Sequence, residues 1–194
     1  MADTRSLILD TAARLFAEQG YVAISMRDVA RAAGMTQANL YYHFRDKDQL
    51  INDTLAHLFA SRMASLDEVL TPNLADGDDL ERFVRWMVNL LAEDFVFARL
   101  LHRELLDGDA GRLANLAQVI LLRPFTLFTE IVSAHGRRTD PRPLALSAIA
   151  LIIGQILVLP LTPLLAGNAY NVNNPDRMVA QILAMLRPAL SEQS

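Results

Sequence analysis

Gln37, Ala38 and Tyr41 are the residues of this chain whose types and spacing best suit the reading of a nucleic-acid base edge. A Gln amide can pair a donor and an acceptor against an adenine edge. A small Ala admits close approach or meets a thymine methyl, and a Tyr can reach a base or a phosphate. On a helix, Gln37 and Tyr41 stand four residues apart and share one face, flanked by Ala38. Leu40 and Phe44, also four apart, point elsewhere with the apolar edge of Met35. The first face is expected in solvent and the second against a core. Thr36, Tyr42, His43 and Lys47 surround the open face and suit phosphate oxygens, because helix starts on both sides of this segment present unbonded backbone N–H groups. A packed aromatic is the alternative role for Tyr42, and a solvated imidazole that for His43.

Three short elements must hold these residues. Ile8, Ala12, Leu15 and Phe16 recur at helical spacing and predict a first helix over residues 4–19, stopped by Gly20. Ser25 suits the N-cap of a second helix, with Asp28 three residues on as a weaker partner than the Glu or Gln of a full capping box. Val29 and Ala30 supply its inner face. Gly34 ends that helix, and Thr36 caps a third through QANLYYHF. Two short helices joined by a glycine turn have the sequence form of a helix-turn-helix, but the same spacing also serves as an ordinary corner of a helical bundle.

The order of residues goes further than the spacing. From residue 5 to 51 the chain resembles the N-terminal domain of the tetracycline-repressor (TetR) family. The resemblance rests on Ile8, Ala12, Leu15, Phe16, Gly20 and Tyr21, then Ser25, Met26, Asp28, Val29, Ala30, Ala33 and Gly34, then Leu40, Tyr41, Tyr42, His43, Phe44 and Lys47. It implies that residues 25–33 lie across the DNA backbone and residues 36–43 enter the major groove. It further implies base contacts from Gln37, Ala38 and Tyr41 and phosphate contacts from Ser25, Thr36, Tyr42, His43 and Lys47, with Asn39 at a variable recognition position serving either purpose. Many members carry lysine where Gln37 stands, so this chain leans less on charge there. Repression, homodimerisation, a palindromic double-stranded operator and release by a small-molecule effector are what the resemblance implies about function.

Composition agrees with a regulator of local rather than global basicity. The 194 residues are 52% hydrophobic with a mean hydropathy of +0.21, enough to bury a sizeable core. Net charge is −4 and residues 1–50 are neutral, so any grip on DNA comes from placed charges. Without cysteine there are no disulfides or thiolate metal sites, and His43, His57, His102 and His135 have no ligand spacing. No metal or cofactor is expected. The absence of cysteine fits a reducing cytoplasm, and the N-terminus does not read as a signal peptide.

Beyond residue 45 the pattern stays helical. A fourth helix is expected from Asp46 or Asp48 to before Pro72, followed by helices over about 78–94, 95–106, 110–135, 143–165 and 175–190. No stretch alternates as a strand does, which makes the fold class all-α: an N-terminal three-helix helix-turn-helix domain over 1–47 and a helical effector-binding and dimerisation domain over 48–194.

Between Arg142 and Asp176 no residue is charged, and the run is long enough to be weighed as a membrane span. Gln155 at its centre, Pro160 and Pro163 near its end, and the lack of basic anchors after Leu165 favour burial between subunits instead. The expected dimer interface comprises Leu144, Ser147, Ala148, Leu151, Gly154, Gln155, Leu157 and Val158, joined by Ile182, Leu183 and Leu186 of the last helix. The resemblance implies that these two helices pair with their twins as a four-helix bundle.

An effector cavity is implied among helices four to seven. Trp86, Met87, Phe95, Phe97, Phe125 and Phe128 are candidates for its apolar wall, with Arg62, His102, Arg103, Glu104 and Arg123 as polar anchors. Core packing is the competing role of each aromatic, and a solvated face or ion pair that of each charge. Arg103 and Glu104 interrupt the apolar segment FVFARLLHRELL and are candidates to pair with the DNA-binding domain. No Cys nucleophile, phosphate loop, metal motif or Gly-x-Ser-x-Gly elbow supports an enzyme, and the paired Asp78/Asp79 and Asp107/Asp109 read as helix caps and turns.

Overall fold

The computed structural model describes residues 3–69, 79–107, 109–134, 140–166 and 174–191. Among the described residues there is no strand, and the all-α expectation holds. The chain forms two compact units, residues 1–63 with 95–120 and residues 64–94 with 121–194.

In the first unit, α1 (Thr4–Gln19) buries Ile8, Leu9, Thr11, Ala12, Ala13, Phe16 and Ala17. That apolar stripe repeats every three or four residues, which is why the segment is helical and why one side faces inward. Gly20 ends the helix at φ 84, its N–H returning to the Phe16 carbonyl at 2.9 Å. A side chain rarely tolerates that φ, so the stop depends on glycine. The next two helices, α2 (Met26–Ala32) and α3 (Gln37–His43), are joined through Gly34 at φ 70, while the Met35 N–H bonds back to Ala30 at 2.9 Å. α4 (Lys47–Val69) follows, with its residues up to Met63 in this unit. Its start is fixed by Asp46, which accepts the Gln49 N–H at 2.8 Å, while Gln49 accepts the Arg45 N–H at 2.9 Å. Arg5 ties α1 to α4 through Asp53 at 2.7 Å and lies over the Phe44 ring.

The same unit contains α6 (Phe95–Asp107) and α7 (Ala110–Asn115). α6 packs along α1, and Phe97 meets Phe59 edge-on with centroids 4.9 Å apart. The compact unit that holds residues 1–47 is therefore wider than that segment.

The second unit is organised on α5 (Asp79–Glu93), which buries Leu80, Phe83, Val84, Trp86, Met87, Val88 and Leu91. Against it pack α8 (Leu122–Ala134), α9 (Arg142–Val158) and α11 (Pro175–Ser191). Phe83 stacks on Phe128 at 4.5 Å with rings 15° from parallel, and its ring centroid lies 5.9 Å from that of Trp86.

Two expected helices are interrupted. The run expected over 110–135 divides into α7, a π-helical turn (Leu116–Leu121) and α8, just before Pro124. Proline has no N–H to give the carbonyl four residues back, and a π turn is one way a helix accommodates the lost bond. Residue 135, the expected end, lies outside the described residues. The run expected over 143–165 changes to a 3-10 turn (Leu159–Leu161) around Pro160 and resumes as the short α10 (Thr162–Ala166), for the same reason.

Candidate nucleic-acid interface

The geometry of α3 follows from its caps and its inward residues. Thr36 adopts extended backbone and its hydroxyl accepts the Asn39 N–H at 3.2 Å, satisfying one of the helix's unbonded donors. Leu40 and Phe44 are fully buried, and the Phe44 N–H closes the helix on the Leu40 carbonyl at 3.0 Å. With that side fixed, Gln37, Ala38, Asn39 and Tyr41 must project from the other, and all four are exposed. Tyr41 retains 47% of its surface and Tyr42 86%. Tyr42 and His43 meet edge-on, 5.4 Å between centroids, and His43 and Lys47 are half-buried. The seven-residue helix thus presents an amide, a methyl and a phenol side by side, with an imidazole and an ammonium at its edge.

Ser25 and Asp28 form the complete reciprocal cap that the sequence left as a weaker alternative. The Ser25 N–H reaches the Asp28 carboxylate at 3.1 Å, and the Asp28 N–H reaches the Ser25 hydroxyl at 3.3 Å. The Ser25 hydroxyl also donates to that carboxylate, and these bonds, ahead of the Arg31 and Arg27 charges, hold Asp28 below the usual carboxylate range. Ser25 is exposed, but its hydroxyl already serves the start of α2.

Arg27 and Arg31 went unremarked in the sequence. With Ala30, Gly34, Met35 and Gln37 they line an open cleft of about 430 Å³ in the crook between α2 and α3. Their i, i+4 spacing on α2 was the available signal. Arg31 is tied to Asp28 at 2.6 Å, so one of the two cations beside Gln37 is already paired.

The residues named for an effector divide between the units. Arg62 and His102 belong to the first, and Trp86, Met87, Arg123, Phe125 and Phe128 to the second. Trp86 and Phe128 meet through Phe83, a central ring that the sequence reading did not single out. Phe125 is half-buried and Arg123 exposed. His102 is half-buried with its Nε2 shielded and unbonded, and burial pushes its pKa down. Phe95 is exposed beneath the Arg99 guanidinium, while Phe97 is core. Among the described residues no cluster of three His, Cys, Asp or Glu is placed to hold a metal ion.

The residues expected to pair subunits divide between an inner and an outer side. Ala148, Ile182, Leu183 and Leu186 are buried within the chain, because α9 and α11 turn these residues toward the core built on α5. The outward part of α9 is Leu146, Ser147, Leu157 and Val158, all exposed, with Leu144, Leu151, Gly154 and Gln155 half-buried. Leu164 and Leu165 beyond it are each 81% exposed. By length and composition the stretch Arg142–Leu165 is able to cross a membrane, and only 22% of its most apolar part is buried.

Comparison with known proteins places this geometry. The family model described as "Bacterial regulatory proteins, tetR family" matches residues 8–54, the stretch that holds α2 and α3. The transcriptional repressor KstR2 of Rhodococcus jostii is 35% identical over 80 residues, 41% of this chain and 39% of its own. The chain thus spans about two fifths of that relative, and 24% of another, a transcriptional regulator from Shigella flexneri. Similarity of fold extends throughout. The crystal structure of a tetR-family regulatory protein from Rhodococcus covers 100% of both chains with a TM-score of 0.78 at 22% identity. A structure of AibR in complex with isovaleryl coenzyme A and operator DNA covers 96% of this chain and 99% of its own, with a TM-score of 0.65 at 21% identity. Residues 8–54 thus match the tetR family of bacterial regulatory proteins, and the chain as a whole is similar in fold to a tetR-family structure.

Proposed function

We propose that this protein is a ligand-responsive transcriptional repressor that binds a palindromic operator as a homodimer and is released by a small-molecule effector. One observation carries the reading: Gln37, Ala38 and Tyr41 form an open face on a capped helix whose opposite side is locked by fully buried Leu40 and Phe44. Such a face enters a major groove without rearrangement. In this reading residues 1–47 read DNA, and residues 48–194 bind effector and partner subunit. Thr36, Tyr42, His43 and Lys47 hold phosphates, Ser25 holds one through the start of α2, and Asn39 contacts base or backbone.

The second copy is the proposed cover for the outward face of α9. Two-fold pairing sets two α3 helices about 34 Å apart, one turn of the duplex, and makes the operator an inverted repeat. Burial between subunits contributes roughly 25 cal/mol per Å² of apolar area before association costs. The effector is proposed to lie among the aromatic side chains around Phe83 and to shift the population toward a subunit spacing that no longer fits the grooves. The AibR structure, with both a coenzyme A thioester and operator DNA, has the two kinds of partner proposed here. The reading needs no enzymatic activity and sets the protein in the cytoplasm, on DNA and off the membrane.

The test is selection of bound duplexes from fragmented genomic DNA by the full-length protein. An enriched inverted repeat supports the reading. Retention of fragments without any shared sequence, or partition of the protein into a detergent-requiring membrane fraction, contradicts it.

A further inference from the structure

The end of α1 meets a cluster on α6 and α7 that core packing does not require. Glu104 on α6 is only 1% exposed, yet it carries a carboxylate, and Arg112 of α7 donates to its Oε2 at 3.0 Å. The Arg112 guanidinium also lies over the ring of Tyr21, 5.6 Å from its centre. Tyr21 follows Gly20 in the turn between α1 and α2, its ring edge-on to Phe16 at 5.3 Å. Its buried hydroxyl lies beside Glu104, near enough for burial and that carboxylate to raise the phenol's pKa, while neither the hydroxyl nor Glu104 Oε1 reaches a hydrogen bond of good geometry. Two more α6 cations address the same corner. Arg99 donates to the Ala17 carbonyl at 3.4 Å, and the Arg103 guanidinium lies 2.9 Å from where a side chain on Gly20 would begin. Cations are favourable there because a helix's last carbonyls are unbonded and its C-terminal end is negative.

Stability alone does not call for this arrangement. A well-packed apolar residue at position 104 holds α6 on α1 at least as firmly as a buried carboxylate, whose desolvation offsets most of its attraction to Arg112. A directional group does what an apolar one does not: it fixes an angle. The backbone leaving Tyr21 leads directly into α2, and α2 carries α3.

We propose that Glu104 is a positioning residue for operator recognition, holding Tyr21 together with Arg112 and so setting the angle at which α2 and α3 are presented to DNA. This rests on the regulator reading. The operator duplex obtained by genomic selection with the wild-type protein is the probe, against a scrambled duplex of equal length. Tyr21→Phe removes only the hydroxyl and keeps the ring on Phe16. It is expected to leave the thermal midpoint within a few degrees while weakening operator binding about tenfold and leaving scrambled-duplex binding unchanged. Glu104→Gln is expected to act in the same direction, and the double variant to bind no worse than the weaker single one, as members of one unit do. Adding operator to wild-type protein is expected to slow backbone hydrogen exchange over residues 99–107, and to do so much less in Tyr21→Phe. The inference is overturned if Tyr21→Phe binds operator as wild type does, if affinity falls only in step with the thermal midpoint, or if the two substitutions add. Failure of the wild-type protein to select any sequence overturns the regulator reading, and this inference with it.

Discussion

At the scale of single residues, the roles proposed for α3 separate specificity from affinity. Gln37 and Tyr41 are exposed and polar where Leu40 and Phe44 are not, so substituting either of the first pair leaves the buried anchors Leu40 and Phe44 in place. Lys47 is different: its ammonium, at the start of α4, is proposed to neutralise phosphate without regard to sequence. Lys47→Ala is expected to weaken operator and scrambled duplex alike and to reduce the slope of log affinity against log salt by about 1. Anisotropy titrations over a salt series check this, and a loss confined to the operator contradicts it. The face itself was legible in the sequence because everything defining it lies within nine residues and follows from helical periodicity. Glu104 was legible as an interruption of an apolar run and as a candidate partner of the DNA-binding domain, without the residues it meets. Its burial, and its pairing with Arg112 beside Tyr21, depend on a helix 80 residues away in the chain packing against α1, which no local pattern encodes.

At the scale of elements, caps decide whether such short helices exist. Seven residues are too few to be stable as an isolated helix, so α2 and α3 depend on their ends and on burial of one side. Ser25→Ala is expected to cost about 1 kcal/mol of stability, measured by denaturant unfolding, the usual worth of an N-cap hydroxyl. The same cap gives α2 a pH dependence whose sign is fixed. Asp28 has a lower pKa in the folded chain than its ordinary 3.8, because the Ser25 hydroxyl and N–H bond its ionised form. Its contribution is therefore present above pH 3.8 and is lost as pH falls through the lower folded value. Asp28→Asn is expected to flatten acid unfolding in that window, and an unchanged acid limb contradicts the role. Two elements were misread for a shared reason. Apolar periodicity runs through the π turn before Pro124 and through the 3-10 turn at Pro160 without a break, so the sequence pattern registers a continuous helix where the hydrogen-bond ladder changes.

At the scale of the whole molecule, the proposed function uses two chains, and the sequence identified α9 more securely than the face proposed to pair them. A helix apolar nearly all round gives no periodic signal, so its inner residues Ala145, Ala148, Ile152 and Ile156 became distinguishable only once α5 and α8 were seen to cover them. Leu146 and Val158 lie outside that set and are exposed. Leu146→Glu with Val158→Glu is expected to convert a dimer to a monomer in size-exclusion chromatography with light scattering. It is also expected to reduce operator affinity about 100-fold or more, since the second half-site is then no longer held at high effective concentration. An unchanged mass would remove this face from the interface. The central claim joins all three scales: one exposed face of α3, presented twice by a two-fold pair, reads base edges. Chemical footprinting of the selected operator tests it most directly. The account predicts two equivalent protected major-groove patches one helical turn apart, both erased by Gln37→Ala and by Tyr41→Ala in chains that remain folded, whereas a single patch, or protection that survives both substitutions, contradicts it.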